Sequence, residues 1–200
     1  VCDISCQMLS SLCVLVHDVL EYLRGLLVRH VHGDALDLGA HVYLVLLDVA
    51  PIASLGLQVE DGRSLRAVVD ELVELRYKVL LEPLGLKFLD SHRDKEINYL
   101  HIGCIDNLDD NLIGGMMLIP LSNDTIRMMQ VAVSDKYQGT GVGRELVRHA
   151  EKRAIASGYK KLVMHAMLNV VGFWEKLGYT QEGDIFEEKG ITFAKMVKQI

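Results

Sequence analysis

The stretch Val131-Ala-Val-Ser-Asp-Lys-Tyr-Gln-Gly-Thr-Gly-Val-Gly-Arg144 decides how this sequence is interpreted. The apolar residues at its start predict a strand over Thr125–Val133, and the periodic residues after it predict an amphipathic helix over Gly141–Ser157, closed by Gly158. Three glycines stand at alternate positions between the two elements. Glycine lets the backbone approach a ligand closely and turn its N–H groups inward. The stretch therefore predicts a strand, a glycine-rich loop and a helix in direct succession.

The predicted loop has the properties of a pyrophosphate site. A helix N-terminus carries a partial positive charge and unpaired N–H groups, so it can bind phosphate without a lysine. Two other phosphate-binding loops do not fit. A P-loop requires a Lys-Ser or Lys-Thr pair after the last glycine, and the dinucleotide fingerprint G-x-G-x-x-G requires glycine where this chain has Arg144.

A third pattern, Q/R-x-x-G-x-G/A, is matched by Gln138-Gly-Thr-Gly-Val-Gly143. It is the coenzyme A pyrophosphate loop of the GNAT superfamily of N-acetyltransferases, which this chain resembles. A second motif of the family, A-x-G-F-Y-E-K-L-G-F/Y, is similar to Val170-Val-Gly-Phe-Trp-Glu-Lys-Leu-Gly-Tyr179. The strand Leu162–Ala166 and the helical segment Leu75–Leu80 also resemble the family. The resemblance extends from about Leu55 to Ile200.

The remaining patterns predict an α+β fold. A helix is expected over Ser64–Leu81, stopped by Pro83 and Gly85, with a possible short strand over Leu55–Val59 before it. An antiparallel meander and a βαβ unit follow. Their predicted elements are strands over Ile97–Ile105, Leu112–Ile119, Thr125–Val133 and Lys161–Met167, a short helix over Asn169–Leu177, and strands over Tyr179–Glu182 and Ile191–Val197. The resemblance implies a mixed, mostly antiparallel sheet flanked by helices, with a V-shaped opening between its central strands.

The resemblance also implies a reaction. Acetyl-CoA would be the co-substrate, and a primary amine would attack it directly in a ternary complex. The residues implied in binding acetyl-CoA are Val131, Ala132, Val133, Gln138, Gly139, Thr140, Gly141, Val142, Gly143, Arg144, Phe173 and Trp174. The amine acceptor itself, a small molecule or a peptide, is not determined by the sequence.

Two departures from the family keep a second hypothesis open. Trp174 stands where the family usually has a tyrosine that acts as the acid, and indole is no useful proton donor. Met128, Met129 and Gln130 occupy places where many relatives carry a glutamate. The alternative is therefore a non-catalytic module that binds acyl-CoA.

Candidates for the general base remain among several side chains. His165 lies at the end of a predicted strand beside the opening, and Glu188 or Glu187 lies in a later loop. Tyr99 and His101 on the second predicted strand are weaker candidates. Cys104 is expected to be a buried thiol rather than an acyl carrier, because direct attack needs no covalent enzyme intermediate.

Composition excludes several other classes of function. The 200 residues are 50% hydrophobic, enough for one core, and the net charge of −6 without a basic block disfavours nucleic-acid binding. Four cysteines without C-x-x-C spacing disfavour a disulfide framework or a zinc site and fit a cytoplasmic protein. No metal is expected at His30, His32, Asp34 and His41, nor in the acidic turn 106–111. No apolar run predicts a membrane span, and a monomer or homodimer is expected.

Composition also changes along the chain. All lysines, asparagines and phenylalanines and the one tryptophan lie at Lys78 or later. We therefore predict an N-terminal extension of uncertain order over residues 1–54 and an acetyltransferase domain over 55–200. The extension is either genuine, with a helix over Ser10–His30, or a stretch not selected to pack with the rest, such as an upstream region wrongly included in the gene model. We expect it to be dispensable.

Overall fold

The computed structural model describes residues 30–31, 42–48, 65–87, 96, 99–106 and 111–200. Three α-helices lie in these ranges: α1 Leu65–Arg76, α2 Val142–Ala156 and α3 Val171–Lys176. The strands of the same ranges are β1 His30–Val31, β2 Val42–Asp48, β3 Leu100–Asp106, β4 Asn111–Pro120, β5 Thr125–Val133, β6 Lys161–Met167, β7 Thr180–Gln181, β8 Phe186–Glu188 and β9 Ile191–Gln199.

These strands form one sheet in the order β1-β2-β3-β4-β5-β6-β9-β7, with β8 paired to β9. Within that sheet, β5 and β6 are parallel and their neighbours are antiparallel. Parallel neighbours need a crossover connection, which α2 supplies. The predicted α+β fold with a mixed, mostly antiparallel sheet is therefore confirmed.

Two consecutive glycines on β4 allow helices to lie close to both faces of the sheet. A Cβ added to Gly115 would lie 2.2 Å from a methyl group of Leu72 on α1. A Cβ added to Gly114 would lie 2.9 Å from a methyl group of Leu146 on α2. Because successive strand residues point to opposite faces, α1 and α2 cover opposite sides of the sheet.

The main core lies between the sheet and the helices α2 and α3. Full burial of each large apolar side chain contributes about 1.5–3 kcal/mol. Tyr179 is buried in this core, and its hydroxyl donates to the carboxylate of Glu151 over 2.9 Å. Its buried members include Ile102, Met116, Leu118, Met128, Leu146, Leu162, Met164, Trp174, Tyr179 and Met196.

Helix α1 ends as the sequence predicts, with one addition. A π-helical turn, Tyr77–Leu81, continues it, and a 3₁₀ turn containing Pro83 then leads to Gly85 at φ 66°. At the end of α1, the buried guanidinium of Arg76 lies 2.6 Å from the carboxylate of Glu96. This ion pair ties the helix to the segment that precedes β3.

The other predicted boundaries agree within a few residues, but the strands β1, β2 and β8 were not predicted. The three residues of β8 are too few to show an alternating pattern. The predicted element Leu55–Val59 and the interior of the turn after Asp106 lie outside the described residues. So does the predicted helix Ser10–His30 apart from its last residue, His30, which belongs to strand β1. Strands β1 and β2 lie within residues 1–54, and β2 pairs with β3 along its whole length. The domain boundary after residue 54 stays a prediction.

Candidate active site

The sheet opens between its two parallel strands. β5 and β6 pair only at Thr125–Lys161, Ile126–Leu162 and Arg127–Val163. Beyond those positions both strands continue, to Val133 and Met167, without pairing to each other. The V-shaped opening implied by the sequence is thus present, and Arg127 marks the point at which the strands part.

A β-bulge distorts β5 inside the opening. Gly115 faces Ala132 and Met117 faces Met129, so two residues of β5 stand opposite the single residue Met116. Gln130, one of the two, has φ 53°, which is unusual for a residue with a side chain. A bulge leaves its extra residue out of the hydrogen-bond ladder. The backbone of β5 therefore has polar groups free for a ligand at this point.

After β5 the chain forms the glycine-rich loop, which is held by its own side chains. Gln138 Nε2 donates to the carbonyl of Val133 over 3.0 Å and to the Asp135 carboxylate over 2.9 Å. Thr140 Oγ1 donates to the carbonyl of Tyr137 over 2.7 Å. The Tyr137 hydroxyl in turn donates to Asp106 of β3 over 2.6 Å. Gln138 and Thr140 thus shape the loop through bonds within it.

The glycines let this loop deliver the N-terminus of α2 to the opening. Gly139 has φ 76° and Gly141, which caps the helix, has φ 104°, both in the region that L side chains rarely adopt. The first helical bond runs from Glu145 N to Gly141 O. The N–H groups of Val142, Gly143 and Arg144 precede that bond and have no intrahelical acceptor. They lie where the sequence predicts an anion site, and that role stays a prediction.

The second motif lies against the start of α2, with its two aromatic residues in different environments. A Cβ on Gly143 would be 3.6 Å from both Phe173 and Val133, so Phe173 lies over the first turn of α2. Phe173 is 36% exposed, whereas Trp174 is 5% exposed and packs edge-on against Tyr179. Phe173 is therefore placed to contact a ligand, and Trp174 belongs to the core.

On the other face of the opening, His165 of β6 is exposed and contacts Arg127 of β5. The Arg127 guanidinium lies 2.5 Å from Nδ1 and 3.0 Å from Nε2 of His165. A guanidinium only donates, so the ring nitrogen of His165 that bonds to it must accept, and a neutral imidazole has one such nitrogen. Partial burial, then Arg127 and Lys195, lower the pKa of His165, and Glu188 opposes them. His165 therefore lies beside the opening with a lowered pKa, and Glu188 is close enough to influence it.

Comparison with known proteins agrees with this architecture. A family profile described as "Acetyltransferase (GNAT) domain" matches residues 96–200, more than half of the chain. The chain belongs to the GNAT acetyltransferase family.

Individual GNAT relatives extend the similarity. YitI, an uncharacterized N-acetyltransferase of Bacillus subtilis, is 25% identical over 62% of this chain and 85% of its own. An acyl-CoA N-acyltransferase from Pseudomonas aeruginosa superposes with a TM-score of 0.62 at 15% identity, over 78% of this chain and 99% of that one. A GNAT family acetyltransferase from Elizabethkingia anophelis, crystallised with acetyl-CoA bound, gives a TM-score of 0.51 at 18% identity, over 64% and 90%.

The weaker candidates from the sequence lie elsewhere in the GNAT fold. His101 is fully buried, with Nε2 2.7 Å from the carbonyl of Glu96, and burial together with Arg76 lowers its pKa to about 4. Cys104 is also fully buried, and burial is the main reason that its thiol pKa is raised to about 12. A thiol of that kind is a poor nucleophile. Tyr99 is partly buried just before β3.

Sequence reasoning missed Arg127 and the bulge at Gln130. No sequence motif marks Arg127 as a site residue, because its contact partner His165 lies 38 positions further along the chain. The bulge is produced by the mismatch between two strands, which no single-strand pattern shows. Across the described ranges, no group of His, Cys, Asp and Glu side chains is arranged to hold a metal ion, and no helix is long and apolar enough to cross a membrane.

Proposed function

We propose that this chain transfers an acetyl group from acetyl-CoA to a primary amine by direct attack within a ternary complex. One observation carries the proposal: β5 parts from β6 and leads straight into the glycine loop and the free N–H groups of α2. The family provides further support, since a relative of the same fold was crystallised with acetyl-CoA.

The donor would lie along β5, with its pyrophosphate on the first turn of α2. Positive-φ glycines at 139 and 141 keep that approach free of side chains. Pantetheine would run beside the backbone of Val131–Val133, where Ala132 points into the core and so contributes through its main chain. Phe173 would pack against the donor, and the exposed Arg144 on the first turn could reach a further phosphate.

The reaction would follow from the positions of both substrates. The amine nitrogen would attack the thioester carbon, forming the C–N bond while the C–S bond breaks and coenzyme A leaves as a thiolate. A backbone N–H of the bulged segment of β5 would polarise the carbonyl oxygen. His165, held neutral by Arg127, would take the proton that the amine loses. Glu188 would influence that proton transfer through its charge on His165.

The buried position of Trp174 supports the second candidate, a module that binds acyl-CoA without catalysis. Its indole packs between Phe173 and Tyr179. The hydroxyl of Tyr179, the nearest phenol, is engaged with Glu151, and burial raises its pKa. If transfer occurs, the thiolate must leave unaided or take its proton from water or the amine.

Calorimetry with coenzyme A, followed by a thiol-release assay over a panel of amines, tests the proposal. We expect saturable binding and turnover on at least one amine. Binding without turnover on any amine would favour the non-catalytic module, and the absence of binding would contradict both hypotheses.

A further inference from the structure

Arg127 and His165 lie on the face of the sheet opposite α2. On β5, Met128 belongs to the core beneath α2, so its neighbour Arg127 points to the other face. On β6, Met164 and Ala166 belong to the same core, so His165 between them also points away from α2. The pair therefore spans the closed end of the V on the side away from the glycine loop, where an acceptor would enter.

The guanidinium of Arg127 is half-buried and makes no ion pair among the described residues. Its contact is with the ring of His165, which supplies no negative charge. Nearby lysines differ in this respect, because Lys161 and Lys195 both pair with the carboxylate of Glu182. Arginine binds carboxylates through two parallel hydrogen bonds and is the residue of choice for that recognition. Arg127 is thus a cation on the acceptor side, and no carboxylate among the described residues pairs with it.

We propose that the acceptor is an amino acid, in which a carboxylate next to the reacting amine binds Arg127 while the amine faces His165. This inference rests on the proposed acetyl transfer. On binding, the acceptor's carboxylate replaces the imidazole as the hydrogen-bond acceptor of the guanidinium, and the two side chains stay adjacent. The imidazole lone pair is then free to accept the proton of the amine, and the amine nitrogen attacks the acetyl carbon as the C–S bond breaks.

The contact distance limits how far apart the two groups of the acceptor can be. The Arg127 and His165 nitrogens are 2.5 and 3.0 Å apart, so groups bound to them must also be neighbours. An amine with a carboxylate on its α or β carbon meets that condition. Lysine side chains, peptide N-termini, polyamines and amino sugars lack an anion at that spacing.

Two aromatic rings beside His165 indicate that the side chain of the amino acid is apolar. The ring of Phe186 on β8 meets His165 edge-on, with 4.7 Å between centroids, and stacks on Phe193 of β9. Ile185, just before Phe186, is 51% exposed. Apolar surface of this kind favours an apolar side chain, so phenylalanine and leucine are the acceptors to test first.

The test compares three acceptors that differ in the carboxylate alone: phenylalanine, phenylalaninamide and phenethylamine. Leucine, leucinamide and isopentylamine form a second series. We expect kcat/KM to be at least about tenfold higher for the amino acid than for either analogue. The amide is the stricter comparison, because its amine is less basic and is more often deprotonated at neutral pH. Equal or faster acetylation of the amide would overturn the inference.

Substitution of Arg127 tests whether that residue provides the discrimination. Arg127→Gln should lower kcat/KM for the amino acid by about tenfold or more relative to kcat/KM for the amide, since any effect through the pKa of His165 acts on both acceptors. Lys160→Gln is the control, because it also removes a cation but lies at the opposite end of β6, where the lysine side chain is 72% exposed. It should change kcat/KM for neither acceptor. An equal loss on both acceptors with Arg127→Gln would mean a structural role and would contradict the proposal.

Failure of the inference can be distinguished from failure of the proposed function. If coenzyme A binds and amines without a carboxylate are acetylated while amino acids are not, only the amino-acid proposal is wrong. If coenzyme A binds and no amine or amino acid is acetylated, the amino-acid proposal is overturned and the non-catalytic module is favoured. If coenzyme A does not bind, both proposals are wrong.

Discussion

On one side of the opening between β5 and β6 the chain presents backbone N–H groups, and on the other it presents side chains from separate strands. The donor side is a continuous stretch, from the bulge at Gln130 to the first turn of α2. The acceptor side joins Arg127, His165 and Glu188, which belong to three different strands. A site made of contiguous backbone leaves a motif in the sequence, whereas a site made across strands does not.

The largest expected loss of coenzyme A affinity comes from Gly141→Glu on the donor side. A carboxylate there would block the pyrophosphate position and repel its charge, so coenzyme A affinity should fall at least about tenfold, or about 1.4 kcal/mol. Gly158→Glu is the matched control, since Gly158 also has a positive φ, 86°, but lies at the far end of α2. Calorimetry on both folded variants checks this. Equal losses, or none in Gly141→Glu, would mean that the loop is only a turn.

His165→Gln should affect the acceptor side and leave the donor side intact. Loss of a general base lowers kcat by about a hundredfold or more, whereas coenzyme A affinity should not change, because His165 lies on the face away from α2. Steady-state kinetics and calorimetry on one preparation measure both quantities. An unchanged kcat would remove His165 from the mechanism, and weakened coenzyme A binding would show that the two sides are not separable.

The electrostatics of the acceptor side can be measured without turnover. Arg127 lowers the pKa of His165 and Glu188 raises it, so Arg127→Gln should raise that pKa and Glu188→Gln should lower it. His165 would then become protonated at a higher pH in the first variant and only at a lower pH in the second. Imidazole chemical shifts followed through a pH titration report the change. Glu187→Gln serves as the control, and a shift of equal size there would show a nonspecific charge effect.

The contrast between the two sides explains what the sequence could predict. The strand, loop and helix from Thr125 to Ala156 were predicted almost to the residue. The hydrophobic period, the glycine spacing and the helix-capping residues are all features of neighbouring residues in the sequence. Arg127 was not recognised, since its role depends on the register of β5 against β6. Trp174 is 5% exposed and belongs to the core, and its contact with the donor stays a prediction. Its neighbour Phe173 takes the exposed position.

The smallest effect is expected from removing residues 1–54, whose described strands β1 and β2 lie at the edge of the sheet away from the opening. β2 is separated from β5 by β3 and β4, so a chain beginning at residue 55 should bind coenzyme A with unchanged affinity. Its melting temperature tests the domain boundary. The composition of the segment predicts a small change. If the shortened chain is insoluble or melts many degrees lower, the pairing of β2 with β3 is part of the domain.

In the proposed complex, backbone N–H groups of the glycine loop bind the pyrophosphate of coenzyme A. Amide NMR spectra of ¹⁵N-labelled protein, recorded through a titration with coenzyme A, test this binding, because glycine amides are well resolved in such spectra. We predict the largest shifts at Gly139, Gly141 and Gly143, with little change at Gly158 and Gly183. Binding that shifts amides elsewhere and leaves those three unmoved would contradict the account.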